Sequence, residues 1–486
     1  MFADKLKNTL NYETTENGAI GFSTTNSALL DMNFKISSYR NKSDDEIIAD
    51  FTKCWNENKE LALKFLFYIR DIRGGIGERR LFRVAIASIA DELPLADNVI
   101  FKWVMEYGRA DDLFAFVGTH LESSMLYFIK LQLDNDLKLD NNCSLLAKWL
   151  PSENTSSEKT KKLAKKVRNY LGLSSKQYRQ MLSKIRKHLD VVERKMCKKE
   201  WNGINYEAVP SRANLIYNNA FLRNDETRRR EYLEKLEKGE AKINSSVLFP
   251  HDIVHKYNLN TKDIALENMW KGLPDYVKGN SNILVVRDGS GSMGCHIGNS
   301  NITALDVSTA LAIYFSERQS GQFKNKFITF SARPRYVDLS AYNYPLKEKI
   351  RICNSHTDCS NTDIRLTLQL ILKTAIDNKL KQEEIPNLLI ISDMEFDGAC
   401  QEDLDNKLFN IISNEWKTAG YQLPKLIFWN VNSRTNTIPV IQNDFGVILV
   451  SGFSPAVVNM VLSNELNPYK ALEKVLLSER YAKIKL

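Results

Sequence analysis

The sequence holds no uninterrupted apolar run approaching the ~18–20 residues that a membrane span needs, so no membrane partner is expected. Met1–Gly18 lacks the apolar segment of a secretory signal, which predicts that the chain is not exported. Histidine is scarce, with 6 among 486 residues, and leaves few general bases. No Ser/His/Asp or Cys/His grouping presents itself, so the expectation is that the protein is not an enzyme. No Cys-x-x-Cys pair occurs among Cys54, Cys143, Cys197, Cys295, Cys353, Cys359 and Cys400. An odd, scattered set of this kind predicts reduced thiols and a cytoplasmic location. The three-glycine segment Arg70–Arg79 lacks Gly-Lys-Ser/Thr and follows a helical pattern, so it reads as a helix-to-helix turn and not as a phosphate loop.

What is present in excess is positive charge, and it is concentrated. Residues 151–200 hold 15 Lys and Arg against 5 Asp and Glu, while the rest of the chain holds 52 against 54. The net +8 therefore comes from one tenth of the chain, an asymmetry that points to a polyanionic partner. The candidate phosphate contacts are Lys161, Lys162, Lys165, Lys166, Arg168, Lys176, Arg179, Lys184, Arg186 and Lys187, with Tyr170 and Tyr178 interleaved. A solvated helix face is the plainer reading of most charge runs.

Apolar spacing of three and four residues makes the first ~270 residues helical. Ser43-Asp44-Asp45-Glu46 is a capping box, and the helical pattern that follows reaches Tyr68 with an interruption at Asn58. Further helices are predicted near 79–90, 96–106, 110–117 and 121–133. A second capping box, Ser174-x-x-Gln177, opens a helix whose apolar stripe runs through Tyr178, Met181, Leu182, Ile185, Leu189, Val192 and Met196. Beyond ~280, short apolar runs at Ile283–Val286, Phe327–Phe330, Leu388–Ile391, Leu426–Trp429 and Val447–Val450 alternate with helical stretches near 303–318, 363–378 and 402–419. That alternation predicts a doubly wound α/β sheet. The fold class is thus multidomain: residues 1–275 an all-α helical-repeat (HEAT-like) domain carrying the basic segment 156–200, residues 276–465 an α/β domain, and 466–486 a helical tail. Lys271–Pro274 and Lys278–Asn280 read as the linker.

The first strand runs into Asp288-Gly289-Ser290-Gly291-Ser292-Met293-Gly294, which satisfies two patterns at once. Gly-x-Gly-x-x-Gly after a strand is the dinucleotide fingerprint. Asp-x-Ser-x-Ser instead offers a carboxylate and two hydroxyls to a hard cation. Two later positions favour the second pattern: Thr362 in Ser360–Asp363 ahead of a helix, and Asp393 at the end of a later strand. Asp288, Ser290, Ser292, Thr362 and Asp393, with water, make an oxygen site for Mg²⁺ or Mn²⁺. The second strand ends without the acidic residue that a dinucleotide site requires. Glu395 and Asp397 lie nearby in sequence and keep metal-assisted phosphodiester chemistry in view as a distant alternative. His251-Asp252-Ile253-Val254-His255 imitates a zincin helix, but aspartate replaces the base and no third ligand follows. His251 is expected to hydrogen-bond at a helix start after Pro250.

On the Asp288, Ser290, Ser292, Thr362 and Asp393 set, the second half resembles the von Willebrand A domain. That family's pattern implies direct ligation by the serines and threonine, conditional ligation by the aspartates, and an acidic side chain of a partner completing the shell. Arg70-Asp71-Ile72-Arg73-Gly74-Gly75-Ile76-Gly77-Glu78, Gly108–Leu113 and Ala147–Pro151 resemble a Ro-like (TROVE) group that has an uncharacterised branch in bacteria, phages, plants and fungi. Val209–Arg212 and Leu248–His251 look most like that branch. The resemblance implies an RNA-binding ribonucleoprotein scaffold. A small structured RNA would sit on the helical domain, and an acidic-residue-bearing protein partner would be recruited at the metal site. The alternative is a metal-dependent protein-interaction or assembly module, phage-associated, that binds no RNA.

Overall fold

The computed structural model describes residues 11, 13–16, 20–139, 142–259, 264–277, 282–340, 344–357, 364–395, 407–435, 437–438, 446–461, 465 and 467–486. A mostly helical part is followed by an α/β part built on a six-stranded sheet. The strands are β1 (Ile283–Asp288), β2 (Lys326–Phe330), β3 (Tyr336–Asp338), β4 (Asn387–Ser392), β5 (Leu426–Asn430) and β6 (Val447–Ser451). Their spatial order is β3-β2-β1-β4-β5-β6, parallel except for the antiparallel edge strand β3. Every residue of β1, β5 and β6 is buried, as a parallel sheet covered on both faces demands. The chain reverses its direction of travel across the sheet at β1 and β4. In open α/β sheets ligands bind at such a switch point, beyond the carboxyl ends of the strands. Five of the six strands fall on the apolar runs. The sixth, β3, was not anticipated, because a three-residue edge strand with its outer residues exposed carries no apolar run.

The described residues group into two compact units that do not follow a linear boundary near 275. One comprises Met1–Phe65, Arg73–Ile76 and Leu248–Lys483; the other comprises Leu66–Ile72, Gly77–Val247 and Ile484–Leu486. The reason is hydrogen bonding between residues far apart in the chain. Phe22 exchanges backbone hydrogen bonds of 2.8 Å with Ile438 in both directions. Asn430 Nδ2 donates to the Phe34 carbonyl at 2.8 Å, and Asn33 Nδ2 donates to the Leu449 carbonyl at 3.3 Å. The helices Pro250–Asn258 and Ile264–Lys271 belong to the same unit. His255 Nδ1 meets Asp306 at 2.8 Å, and Trp270 Nε1 donates to Glu317 at 2.7 Å, both acceptors lying on the helix Ala304–Arg318 that covers β1. Of the residues read as a linker, Leu273 is buried and the Pro274 carbonyl accepts the Tyr314 hydroxyl, so Lys271–Pro274 belongs to this unit; Lys278–Asn280 lie outside the described residues.

The helices follow the caps. Ser43 and Glu46 form their box ahead of Asp44–Glu57, and Asn58 turns to extended geometry (φ −160°) before Lys59–Arg70. Ser174 and Gln177 form theirs ahead of Ser175–His188. The stripe from Tyr178 to Met196 does not lie on one helix. The chain breaks at Asp190, whose φ is +46°, and resumes as Val192–Cys197. Tyr178, Leu182, Ile185 and Val192 are buried, and the Tyr178 hydroxyl donates to the Pro151 carbonyl at 2.9 Å.

Candidate metal centre

Asp288 closes β1 and is fully buried. Its Oδ1 accepts the Ser290 N–H at 2.8 Å, a local turn that folds the loop back over the strand end. Its Oδ2 accepts the Ser392 hydroxyl at 2.6 Å, which ties β1 to the end of β4. The Ser308 hydroxyl donates to the Asp288 carbonyl at 3.2 Å, fixing the strand end against its covering helix. The Ser290 and Ser292 hydroxyl oxygens lie 3.0 Å apart. Asp393 follows β4 directly and is buried. Its Oδ1 receives a long 3.3 Å contact from the Glu395 N–H, while its Oδ2 is buried with no hydrogen-bond partner. Met394 is held at a φ of +63°, a conformation costly for a side-chain-bearing residue, and this turns the chain sharply away beyond Asp393.

The electrostatics follow from that geometry. Burial pushes the Asp288 carboxyl above the usual carboxylate range, against hydrogen bonds from Ser392 and Ser290. Burial, and then the negative charge of Asp288, pushes Asp393 up to about 7, against the neighbouring Ser292 hydroxyl and Arg434. Two buried carboxylates at one strand edge, with Arg434 no closer than 3.9 Å to Asp393, are held in an unfavourable state. Arg287 does not relieve it, because its guanidinium is spent on Thr309 Oγ1, Thr357 Oγ1 and the Cys353 carbonyl.

Four of the five expected ligands, Asp288, Ser290, Ser292 and Asp393, are thus brought to one edge; Thr362 lies outside the described residues. Among the described residues no group of three or more His, Cys, Asp and Glu side chains converges on a metal-sized site. Two carboxylates supplemented by hydroxyls are a donor set of another kind, all oxygen, which suits Mg²⁺ or Mn²⁺. An orphaned, buried carboxylate oxygen fits such an ion. The dinucleotide pattern finds no use here: Gly289, Gly291 and Gly294 all avoid positive φ, and a side chain at Gly294 would meet open space.

Sequence reasoning missed Ser392, Arg434 and Glu16 at this edge. Glu395 is committed: its Oε1 accepts the Arg434 and Thr435 N–H groups at 2.8 and 3.0 Å, and its Oε2 accepts the Glu16 N–H at 3.0 Å. Asp397 lies outside the described residues. Only a three-dimensional neighbourhood reveals Arg434 and Glu16, since neither belongs to a motif. His251 packs its ring against Phe249 and Phe453 while His255 binds Asp306, so the two do not act as a ligand pair.

In the helical unit the ten basic candidates divide. Lys161 pairs with Glu158 at 2.7 Å, Lys166 with Glu122 at 2.6 Å and Arg168 with Glu153 at 3.2 Å. Arg186 donates to the Ala147 and Leu150 carbonyls at 2.7 and 3.1 Å. Lys162, Lys165, Lys176, Arg179, Lys184 and Lys187 are exposed.

The motifs that suggested a Ro-like protein meet one another. Asp112 of Gly108–Leu113, fully buried, accepts Arg70 Nε at 2.7 Å and Arg83 Nε at 2.6 Å. Arg109 forks onto Asp111 with two 2.5 Å contacts and stacks its guanidinium 3.9 Å above the Trp149 ring. Gly108 is required: an added Cβ would lie 2.8 Å from Asp112 Oδ2 and 2.7 Å from the Val104 carbonyl. These residues hold helices together.

Comparison with known proteins corrects the family assignment. Residues 15–106 and 138–275 match a domain of unknown function, DUF2828, and residues 282–481 match a second domain of unknown function, DUF7788. The uncharacterized protein L728 of Acanthamoeba polyphaga mimivirus is 31% identical over 514 residues, an overlap of 96% of this chain and 87% of that protein. Neither a Ro nor a von Willebrand A family is shown, and the shared arginine, aspartate and glycine pattern has its cause in the helix-joining ion pairs. The chain belongs to the family of this mimivirus protein, with a DUF2828 helical region followed by a DUF7788 α/β region.

Proposed function

We propose that the α/β region binds one divalent cation, Mg²⁺ or Mn²⁺, and uses it to capture a protein partner through an acidic side chain. The observation that carries this reading is the unpartnered, buried Oδ2 of Asp393 beside the buried Asp288 carboxylate, with the Ser290 and Ser292 hydroxyls at the same edge. Asp288, Ser290, Ser292 and Asp393 would hold the ion, joined by Thr362. Bound there, the cation supplies positive charge that a carboxylate from outside can share. In fold terms this is a von Willebrand A-type architecture, for which the β3-β2-β1-β4-β5-β6 order with one antiparallel edge is the supporting feature. The helical region is the HEAT-like repeat part of the same reading. The module is a binding protein and not an enzyme, because Glu395, two residues after Asp393, is consumed by backbone N–H groups. A cytoplasmic, reducing location suits the free thiols of Cys54, Cys197, Cys295 and Cys353.

The test is Mn²⁺ binding to the full chain, read by electron paramagnetic resonance. One ion should bind per chain, and Asp288→Ala or Asp393→Ala should abolish it. Undiminished binding in both variants would sink the reading.

A second reading, a small structured RNA held by the helical region, is favoured by the six exposed basic side chains on the two helices Glu158–Tyr170 and Ser175–His188. Contacts of this kind release counterions, so affinity should fall steeply with salt. RNA affinity that ignores salt would dismiss it.

A further inference from the structure

Arg434 lies four residues beyond β5, beside the carboxylate edge. Its Nη1 is 3.9 Å from Asp393 Oδ2, beyond hydrogen-bonding distance, and its Nη2 is 2.7 Å from Glu16 Oε2. The guanidinium is therefore shared unequally: Glu16 has a charge-assisted contact, Cys295 Sγ accepts a weak one from Nη1 at 3.4 Å, and Asp393 has only proximity. Neither partner is free to drift. Glu395, two residues after Asp393, accepts the backbone N–H of Arg434 through Oε1 and the backbone N–H of Glu16 through Oε2. One carboxylate thus fixes both the arginine and its counter-ion beside the strand end.

Resting on the metal reading above, we infer that Arg434 is a built-in rival of the cation for Asp393, and that Glu16 holds this rival back. A guanidinium and a divalent ion both require the Asp393 oxygen that has no other partner. With Glu16 in place, Arg434 stays one step short of that oxygen and the ion can enter. With Glu16 neutralised, Arg434 moves onto Asp393 and occupies the charge that the ion needs. The N-terminal segment, more than 370 residues from Asp393 in sequence, thereby sets the affinity of the site.

The two residues make predictions of opposite sign, and their combination removes the ambiguity. Arg434→Gln takes away a positive charge close to the ion and should tighten Mn²⁺ binding by about tenfold. Glu16→Gln should weaken it by roughly threefold or more. In the double variant Glu16→Gln should have no further effect, because the rival it restrained is gone. If Glu16 acted merely as a distant negative charge, it would weaken binding equally in both backgrounds, and that result overturns the inference. So does an Arg434→Gln protein that binds Mn²⁺ no more tightly than the parent. Asp288→Ala is the separate control. Mn²⁺ binding that survives it places the ion elsewhere and defeats the metal reading itself. Absence of binding in parent and Arg434→Gln alike defeats both. All affinities are read by electron paramagnetic resonance on full chains whose circular dichroism matches the parent.

Discussion

Two groups of aspartates, buried except for the half-buried Asp111, behave in opposite ways. In the helical unit Asp111 and Asp112 are surrounded by Arg70, Arg83 and Arg109 at 2.5–2.9 Å. Burial raises the Asp111 carboxyl, yet hydrogen bonding from Arg109 and the charge of Arg83 outweigh it and hold the group at about 2. At the end of the sheet Asp393 has Arg434 only at 3.9 Å and is driven up to about 7 by burial and the charge of Asp288. The comparison separates architecture from function. Charges that are compensated join helices, whereas the two carboxylates at the sheet end have no hydrogen-bonded cation among the described residues.

Breaking the compensated group should have the largest effect. Asp112→Ala strands the buried Arg70 and takes one of two aspartates from Arg83, and should cost about 3–5 kcal/mol in denaturant melts; a loss under 1 kcal/mol would remove the structural account of the Arg70–Asp112 motif pair. Completing the uncompensated group comes next. Mg²⁺ at about 100 times its dissociation constant should add about 2.7 kcal/mol to the stability of the α/β unit, an increment absent from Asp288→Ala. Asp393→Asn should raise the melting temperature of the metal-free chain, since it removes one of two facing charges.

Acid tests the compensated group from the other side. The folded-state pKa of Asp111 is depressed, so its stabilisation is complete above the ordinary aspartate range and is lost as pH falls from about 4 through about 2. Hydrogen exchange in Arg80–Ser88 and its neighbours should accelerate over that window, by the equivalent of about 1–2 kcal/mol. An unchanged rate would mean that the ion pairs are ornamental. The smallest stability effect belongs to the exposed lysines. Changing Lys162, Lys165, Lys184 and Lys187 to Ala should leave the melt within about 0.5 kcal/mol. If RNA binds there, the slope of log affinity against log salt should flatten by roughly three to four.

Much of this was legible in the sequence because it is local. Ser43 with Glu46 and Ser174 with Gln177 form the boxes their spacing specifies, and five strands lie on the five apolar runs. Asp288 and the two serines announce themselves by spacing within one loop, and Asp393 by ending an apolar strand. The illegible parts have non-local causes. Nothing in the stripe from Tyr178 to Met196 signals a left-handed Asp190. Glu16 and Arg434 meet across more than 400 residues. Arg70–Arg79 reads as a helix-to-helix turn from its glycines, but nothing local shows that Arg70 pairs with Asp112 of Gly108–Leu113.

The strapping of residues 20–40 across the ends of β5 and β6 has a consequence for biosynthesis. Leu29, Leu30 and Phe34, all buried in the finished protein, leave the ribosome some 400 residues before Asn430 and Leu449 arrive to receive them. At roughly 5–20 residues per second the delay is roughly 20–80 seconds. Throughout that interval the helix Ala28–Phe34 has Asp44–Glu57 to dock on but not the sheet, so the face it later turns to β6 stays open to a holdase until Val447–Ser451 is made.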